Sequence, residues 1–441
     1  MSNNLKKDGI FRLNGQNYLV PFILITVLFF LWGFARAILD VLNKHFQNEL
    51  NISISQSAMI QVTTYLGYFL MAIPAGLFIN KYGYRKGVVF GLLLFGAGSL
   101  LFIPEAASGG FYGFLICLFI IGCGLTFLET AANPYSTELG SPETATSRLN
   151  LSQSFNGLGS VFATFAVGQY LFSDSGEGGN VAVPYTILGI LVLLIALVFS
   201  RVNLPEIKRE QEEEEQQSGS GLANIKELFF HHKMFVLGLF SLLAYEVAEI
   251  SINSYFINCV TGLGWMKMLR EDILQFVSIL DHYEWVSESF VNYLLELCWN
   301  FNRLASIVLS VALGLFLLGR FGGSWIMRTV SDKKMLLICA SGTVVCMLLV
   351  LMNLGKLSMI ALICNYLFEA IMFPTIFSLS LIGVGRLRKS ASSLLMMTPV
   401  GGCGFLLMGM IADKTNLVVP FIIPLIGYLL ILFYALRLRR Q

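Results

Sequence analysis

Seven ionisable side chains lie inside stretches of the chain that are otherwise apolar, and five of the seven are carboxylates. The seven are Arg36, Asp40, Glu129, Glu246, Glu249, Arg320 and Glu369. A charged side chain at the centre of a lipid bilayer costs roughly 2.5–3.5 kcal/mol on insertion scales, so each of these residues needs a function or a partner. The four histidines all lie at the ends of the apolar stretches or between them. If a proton is carried within these stretches, a carboxylate carries it.

Amide side chains accompany one of these carboxylates. Glu129 lies in "GLTFLETAANPYSTEL", where Asn133 follows it by one helical turn. The later segment "RLNLSQSFNGLGS" brings three further amides to one helical face: Asn150, Gln153 and Asn156. Amides donate and accept hydrogen bonds at once, which suits a ligand rich in hydroxyl groups. We therefore expect Glu129, Asn133, Gln153 and Asn156 to bind substrate.

Structural roles are the alternatives for the other candidates. Arg36 precedes Asp40 by one helical turn, so an ion pair within the helix would neutralise both charges. Arg320 and Glu369 could neutralise each other in the same way. Glu246 and Glu249, three residues apart on one helical face, could face a water-filled cavity or the outer mouth of their span. Five residues are therefore secondary candidates: Arg36, Glu246, Glu249, Arg320 and Glu369.

Two of the substrate candidates also have structural alternatives. Trp32 could stack on the apolar face of a sugar ring, or it could pack against other side chains or lipid. For Glu129 the alternative is a structural carboxyl group that is protonated or paired with an amide.

The composition places these residues in a membrane protein. Of the 441 residues, 56% are hydrophobic and 13% are charged, and the mean hydropathy is +0.73; an average soluble domain is about 25% charged. A spanning helix needs about 20 mostly apolar residues. Twelve stretches satisfy this requirement, beginning near Tyr18, Ser57, Lys86, Phe111, Ala145, Pro184, Lys233, Leu304, Lys333, Ser358, Lys389 and Leu417. We expect an all-α integral membrane protein, because lipid cannot satisfy the open edges of a sheet.

A charged segment that ends in Gly and Ser, "NLPEIKREQEEEEQQSGSG", separates the sixth stretch from the seventh. It cannot bury a core and is typical of a solvated linker. The chain is thereby divided into two pseudo-symmetric halves of six transmembrane helices. The predicted organisation is a cytoplasmic tail at 1–17, a first half at 18–202, a cytoplasmic linker at 203–232, a second half at 233–437 and a cytoplasmic tail at 438–441.

Three short matches occur in the same order in the two halves, as parallel internal repeats predict. "GLFINKYGYRKG" matches "GSWIMRTVSDKK", "FLETAANPYSTEL" matches "LFEAIMFPTIFSL", and "FNGLG" matches "PVGGCG". In the second match, Glu129 and Glu369 each precede a proline by five residues. Polar neighbours accompany only the first of the two glutamates. We expect Glu129 to bind substrate and Glu369 to be structural.

The segment 266–303 in the second half is too charged to cross a membrane. Its apolar residues recur at helical spacing, namely Leu269, Ile273, Phe276, Val277 and Leu280. This pattern predicts one or two amphipathic helices on the outer surface. The segment is either an insertion that packs on its neighbours or a lid or docking element.

Lysine and arginine residues concentrate in alternate loops, on the side that includes the N-terminus. By the positive-inside rule, both termini are cytoplasmic. Asp40 then lies about 20 residues, or roughly 30 Å of helix, into the first span and toward its outer end. The first span has no cleavage site of small residues and is expected to stay as an anchor. The basic residues mark the cytoplasmic face rather than a nucleic-acid site, and the eight scattered cysteines predict neither a metal site nor a disulfide framework. No cofactor is expected.

The chain resembles the fucose:proton symporter family of the major facilitator superfamily. The resemblance rests on "FFLWGFARAILDVLNKHFQ", "GLTFLETAANPYSTELG", "RLNLSQSFNGLGS", "GRFGGSWI" and "FPTIFSL". It covers nearly the whole chain outside the linker and the segment 266–303, and its specific parts are "LETAANP" and "LNLSQSFN". Four features depart from the family pattern: Arg36, Leu39 in place of a polar residue, the charge of Glu369, and the segment 266–303.

The resemblance implies a twelve-helix carrier that imports a hexose-type sugar, L-fucose or a related monosaccharide, with a proton across the bacterial inner membrane by alternating access. Asp40 and Glu129 would serve proton coupling and sugar binding, Gln153 and Asn156 would contact the sugar, and Trp32 would be an aromatic wall. The expected partners are a monosaccharide, a proton and the lipid bilayer, and the expected assembly is a monomer.

Other functional classes are less consistent with the sequence. A sugar sensor on the same fold would need a signalling domain, and the linker is short. A uniporter would move sugar with no proton. An enzyme is not expected, because no GxSxG, HExxH or Walker motif occurs. A channel is disfavoured, because the intramembrane carboxylates are spread over four spans without a repeated filter sequence.

Overall fold

The structure is a computed structural model that describes residues 12–13, 16–108, 110–139, 145–173, 179–202, 221–280, 287–327 and 329–440. In the first part of the chain the helices are α1 (Leu19–Leu50), α2 (Ile54–Ser57), α3 (Met59–Tyr82), α4 (Tyr84–Leu100), α5 (Phe102–Ser108), α6 (Phe111–Glu138), α7 (Ala145–Leu171) and α8 (Ala182–Arg201). In the remainder they are α9 (Gly221–His231), α10 (Lys233–Gly262), α11 (Trp265–Leu280), α12 (Glu288–Trp299), α13 (Phe301–Ile326), α14 (Asp332–Leu351), α15 (Lys356–Glu369), α16 (Met372–Ser380), α17 (Arg388–Leu395), α18 (Phe405–Lys414) and α19 (Ile422–Arg439). Short 3-10 helices lie at Gly385–Leu387, Thr398–Gly404 and Val419–Phe421.

Eleven helical segments of the described residues are long and apolar enough to cross a membrane. They are Leu19–Leu50, Ile54–Ile79, Tyr84–Ala107, Phe111–Ser136, Ala182–Arg201, Lys233–Gly262, Phe301–Ile326, Asp332–Leu351, Lys356–Ser380, Ser390–Lys414 and Val419–Arg439. The remaining predicted span, the fifth in chain order, is α7. Its 27 residues are long enough to cross a membrane but include the polar residues Gln153 and Asn156. All twelve begin within three residues of the predicted positions. The all-α membrane fold is confirmed.

The two Glu–Pro repeats differ in their backbone. In the first half, α6 continues through Pro134 and ends at Glu138. In the second half, α15 ends at Glu369 and α16 begins at Met372, so that Pro374 falls in the first turn of a new helix. A proline in the first turn removes no helical hydrogen bond, because the amide there has no partner within the helix. The repeat therefore conserves the residue spacing without conserving the helix.

The described residues of the predicted N-terminal tail and linker form short regular elements. A short antiparallel pair of strands joins Arg12–Leu13 to Gln16–Asn17 in the predicted N-terminal tail. Residues 203–220 of the predicted linker lie outside the described residues, and α9 occupies most of the rest.

The segment 266–303 forms two helices, α11 and α12, as the spacing of its apolar residues predicts. The Tyr293 hydroxyl on α12 donates a hydrogen bond to Gln169 Oε1 on α7 over 3.2 Å. Asp272 on α11 forms a 2.6 Å ion pair with Lys356 at the start of α15. Both helices of the segment are thus attached to neighbouring spans. Its location outside the membrane stays a prediction.

The chain divides into two compact units. The first unit comprises Met1–Ala37, Thr63–Ser160 and Val181–Ser218. The second comprises Ile38–Val62, Val161–Asn180 and Gly219–Gln441. The helices α1, α3 and α7 contribute residues to both units. The second unit therefore includes parts of the first predicted half as well as the second half.

Candidate functional site

A cluster of aromatic and basic side chains surrounds Trp32 in the first unit. The Trp32 side chain is 6% exposed, and its indole Nε1–H donates a hydrogen bond to the Tyr68 hydroxyl over 2.8 Å. The guanidinium carbon of Arg36 lies 6.0 Å from the centre of the Trp32 ring and 5.9 Å from that of Tyr65. A guanidinium at this distance from an aromatic face is attracted by the ring quadrupole. The indole is therefore held by Tyr68 at its edge and by Arg36 beside its face.

Glu129 lies near this cluster. It is half-buried on α6 and interacts electrostatically with Arg36 and with Tyr68. A basic partner in the same unit lowers the cost of placing a carboxylate inside the membrane. Arg36 thus has Glu129 as an acidic neighbour, in addition to Asp40, which its sequence spacing predicts. The ion pair between Arg36 and Asp40 stays a prediction.

The predicted amides connect three helices of the first unit. Gln153 Nε2–H on α7 donates to Asn133 Oδ1 on α6 over 3.2 Å. Asn156 Nδ2–H on α7 donates to the backbone carbonyl of Phe29 on α1, also over 3.2 Å. Both side chains are half-buried. The side chain of Asn150, the other amide of this face, lies outside the described residues.

A close backbone approach fixes α1 against α7. A Cβ atom at Gly33 would lie 2.7 Å from the carbonyl carbon of Asn156. The hydroxyl of Ser160 donates to the carbonyl of Gly33 over 3.2 Å. Small residues let helix backbones approach in this way in membrane proteins. The glycine therefore sets the position of Asn156 relative to the indole of Trp32.

Asp40, the other predicted acidic site residue, belongs to the second unit. Its side chain is 7% exposed, and its Oδ1 accepts a hydrogen bond from the Ser254 hydroxyl on α10 over 2.8 Å. Ser254 in turn accepts a hydrogen bond from Gln61 Nε2–H on α3 over 2.7 Å. The carboxylate of Asp40 therefore ends a chain of hydrogen bonds that joins three helices.

Glu369 is fully buried in the second unit. Its Oε1 accepts a hydrogen bond from the Tyr428 hydroxyl, and Tyr428 in turn accepts from Asn365 Nδ2–H over 3.1 Å. Arg320 donates from Nε to the carbonyl of Ala370 over 3.2 Å, and its guanidinium carbon lies 4.7 Å from the centre of an aromatic ring. The structural role of Glu369 and its neutralisation by Arg320 stay predictions.

Glu246 and Glu249 lie on α10 of the second unit. Glu246 is 3% exposed and Glu249 is half-buried, and both interact electrostatically with the Tyr245 hydroxyl. A Cβ atom at Gly401, in the 3-10 helix Thr398–Gly404, would lie 2.9 Å from Cβ of Glu246. This helix therefore packs directly beside Glu246, and the water-filled cavity stays a prediction.

A family model of the Major Facilitator Superfamily matches residues 25–398. The chain belongs to the Major Facilitator Superfamily. A glucose/galactose transporter of Brucella abortus is 30% identical over 429 residues, which are 96% of this chain and 94% of that protein. An L-fucose-proton symporter of Haemophilus influenzae is 31% identical over 466 residues, covering 96% of this chain and 97% of that protein.

Among solved structures, the Major Facilitator Superfamily transporter FucP, crystallised in its outward conformation, is similar to this chain with a TM-score of 0.66. It is 28% identical, and the similarity covers 96% of this chain and 99% of that one. These findings confirm the resemblance that the sequence motifs indicate and the fold that it implies.

The polar face of α3 was not predicted from the sequence. Gln61, Tyr65 and Tyr68 recur at spacings of four and three residues, so they share one helical face. Two of them contact candidate residues on α1, and Gln61 reaches Ser254. The periodicity of polar residues in an apolar span is the signal that would have identified them. Ser254 carries the same signal on α10, where Ser251, Ser254 and Asn258 recur at spacings of three and four residues.

Proposed function

We propose that this protein is a secondary active transporter that imports a hexose-type sugar, L-fucose or a related monosaccharide, together with a proton by alternating access. The observation that carries the proposal is the set of polar and aromatic side chains on α1, α6 and α7, which suits a hydroxyl-rich ring. The full-length similarity to an L-fucose-proton symporter and to a glucose/galactose transporter supports it. Alternating access is the general mechanism of carriers built from two repeated halves.

In this proposal the sugar contacts five residues of the first unit: Trp32, Glu129, Asn133, Gln153 and Asn156. The indole face covers the apolar face of the sugar ring, as aromatic side chains do with amphipathic ligands. Amides and the carboxylate exchange hydrogen bonds with the hydroxyl groups, because amides both donate and accept whereas an ionised carboxylate accepts. The guanidinium of Arg36 holds the indole and offsets the charge of Glu129.

The coupling ion is a proton that binds to Asp40, with Glu129 as the second acidic group of the coupling system. Protonation removes the charge of the buried Asp40 carboxylate and so changes the relative stability of the two carrier conformations. No other cofactor is part of the proposal. The carrier acts as a monomer in the bacterial inner membrane with both termini in the cytoplasm.

A panel of monosaccharides tests this function. Cells that express the protein are suspended in weakly buffered medium and given L-fucose, galactose, glucose or an N-acetylhexosamine. A substrate of the symporter alkalinises the medium as it enters. Uptake of labelled sugar with no alkalinisation would instead indicate a uniporter or coupling to sodium, and the absence of uptake of any sugar would refute transport and favour a sensor.

Asp40→Asn tests the assignment of the proton site. The variant should lose uphill accumulation and retain exchange of labelled for unlabelled sugar, because exchange needs no net proton movement. Asp272→Asn is the matched control, since Asp272 is a half-exposed carboxylate paired with Lys356. Normal proton-driven accumulation by Asp40→Asn would contradict the assignment.

A further inference from the structure

Three buried side chains form a polarised chain that ends on the Asp40 carboxylate. Gln61 Nε2–H donates to Ser254 Oγ over 2.7 Å, and the Ser254 hydroxyl donates to Asp40 Oδ1 over 2.8 Å. Gln61 and Ser254 are completely inaccessible to solvent. The serine oxygen accepts from Gln61 Nε2–H, and its own hydroxyl hydrogen points to the carboxylate. The chain therefore suits an ionised Asp40.

The chain joins parts of the molecule that are distant in sequence. Asp40 and Gln61 belong to the first predicted half, on α1 and α3, whereas Ser254 belongs to α10 of the second half. All three residues lie in the second compact unit. The hydroxyl of Ser254 therefore reaches Asp40 only in a conformation in which α10 contacts α1 and α3.

Other contacts in the second unit also join segments that are distant in sequence. The Asp413 carboxylate at the end of α18 accepts hydrogen bonds from the backbone N–H groups of Ile54 and Ser55, over 3.1 and 3.0 Å. A Cβ atom at Gly409 would lie 2.8 Å from Cα of Ser55, so the two backbones touch. A carboxylate at the first amides of a helix is stabilised by the helix dipole as well as by its hydrogen bonds. Several contacts of the second unit thus hold segments of the two predicted halves together.

We propose that Ser254 is a positioning residue that makes loss of the coupling proton depend on the contact of α10 with α1 and α3. The inference rests on the proposed symport function. When α10 closes on α1 and α3, the Ser254 hydroxyl stabilises the ionised carboxylate, because a hydrogen bond to a charged acceptor is roughly twice as strong as one to a neutral acceptor. The proton of Asp40 then leaves to water, and Ser254 keeps its own hydrogen. When α10 moves away, the Asp40 carboxylate loses this donor.

Other titratable or charged groups surround Asp40. On α1 they include Arg36 and Lys44, one turn before and one turn after it. From α15, Tyr366 interacts with it electrostatically. These groups lie on α1 and α15, so their interactions with Asp40 do not depend directly on the position of α10. Ser254 differs from them because it is contributed by α10 itself.

Ser254→Ala tests the proposal in proteoliposomes that contain the full-length protein. The variant should retain sugar exchange, which needs no loss of the proton, and this also shows that it folds. Its net proton-driven uptake should fall about tenfold, as expected for the loss of one hydrogen bond to a charged group. The defect should shrink as the pH on the side of release rises, so that the pH profile of net uptake moves about one unit toward alkaline pH.

Three controls separate this role from a structural one. Ser251→Ala removes another buried hydroxyl of α10, one turn earlier, and should behave as wild type. Ser254→Thr keeps a hydroxyl and should restore net uptake. In the Asp40→Asn background, Ser254→Ala should have no further effect, because the carboxylate on which it acts is absent.

The outcomes distinguish the two proposals. If wild-type protein takes up sugar without moving protons, the proposed symport function fails. If wild-type protein couples sugar to protons and Ser254→Ala has the wild-type pH profile, symport stands and the inference about Ser254 is overturned. Equal loss of exchange and net uptake in Ser254→Ala, without rescue by threonine, would also overturn it.

Discussion

The close approach of α1 and α7 makes Gly33→Ala the sharpest test of how the proposed sugar site is positioned. The added methyl carbon would lie 2.7 Å from the carbonyl carbon of Asn156 and 3.0 Å from its Cα. Carbon atoms in ordinary contact are about 3.5–4.0 Å apart, so the two helices must separate by about 1 Å. The obstructing atoms belong to the backbone and cannot turn aside as a flexible side chain would.

This displacement should reach the candidate sugar residues. The hydrogen bonds from Asn156 Nδ2 to the Phe29 carbonyl and from Ser160 Oγ to the Gly33 carbonyl are each 3.2 Å long. An increase of about 1 Å takes both donor–acceptor distances beyond the range of a hydrogen bond. Overpacking of this kind costs about 1–3 kcal/mol of stability. A misplacement of about 1 Å can cost about 100-fold in an enzyme site, and we expect kcat/KM of sugar uptake to fall by about 10- to 100-fold.

The assay is uptake of labelled sugar by purified protein in proteoliposomes, together with the thermal stability of the same preparation. Gly76→Ala is the matched control, because it also adds a methyl group to a membrane helix of the first unit and meets no atom within 4 Å. The control should match wild type in both measurements. Wild-type uptake and stability in Gly33→Ala would refute the conclusion that this contact positions Asn156.

The remaining predictions concern buried partners. Glu369→Ala leaves the Tyr428 hydroxyl without its acceptor and should cost at least about 1–3 kcal/mol of stability, whereas Glu369→Gln keeps an acceptor and should cost less than about 1 kcal/mol; equal melting temperatures would contradict this. Asp413→Ala removes the acceptor of two backbone amides at the helix that begins at Ile54 and should cost about 0.5–2 kcal/mol in thermal unfolding, while Asp413→Asn should cost less. Trp32→Phe keeps an aromatic face but loses the indole hydrogen bond, so sugar affinity should fall by about 5- to 10-fold; unchanged affinity in transport assays would count against the indole as part of the site.

The fold was largely predictable from sequence because bilayer thickness sets the length of an apolar helix. Apolar length alone placed the start of each of the twelve helices within three residues. The repeat around Glu129 and Glu369 was also recognisable from residue spacing. What spacing did not predict is that α6 continues through its proline whereas the second-half counterpart is broken before Met372. A helix continues or breaks according to how its neighbours satisfy the freed backbone groups, and those neighbours are distant in sequence.

The same contrast holds for the candidate site. The chain by itself determined which residues carry charge and amide groups within the membrane, and which of them share a helical face, because the helical period is local. The partners of these groups depend on how the helices pack in the folded protein. Ser254 lies 214 residues from Asp40 in sequence, and no periodicity connects them. A serine in an apolar helix usually bonds to its own backbone, so its use as the donor to a buried carboxylate depends on which helix packs against it.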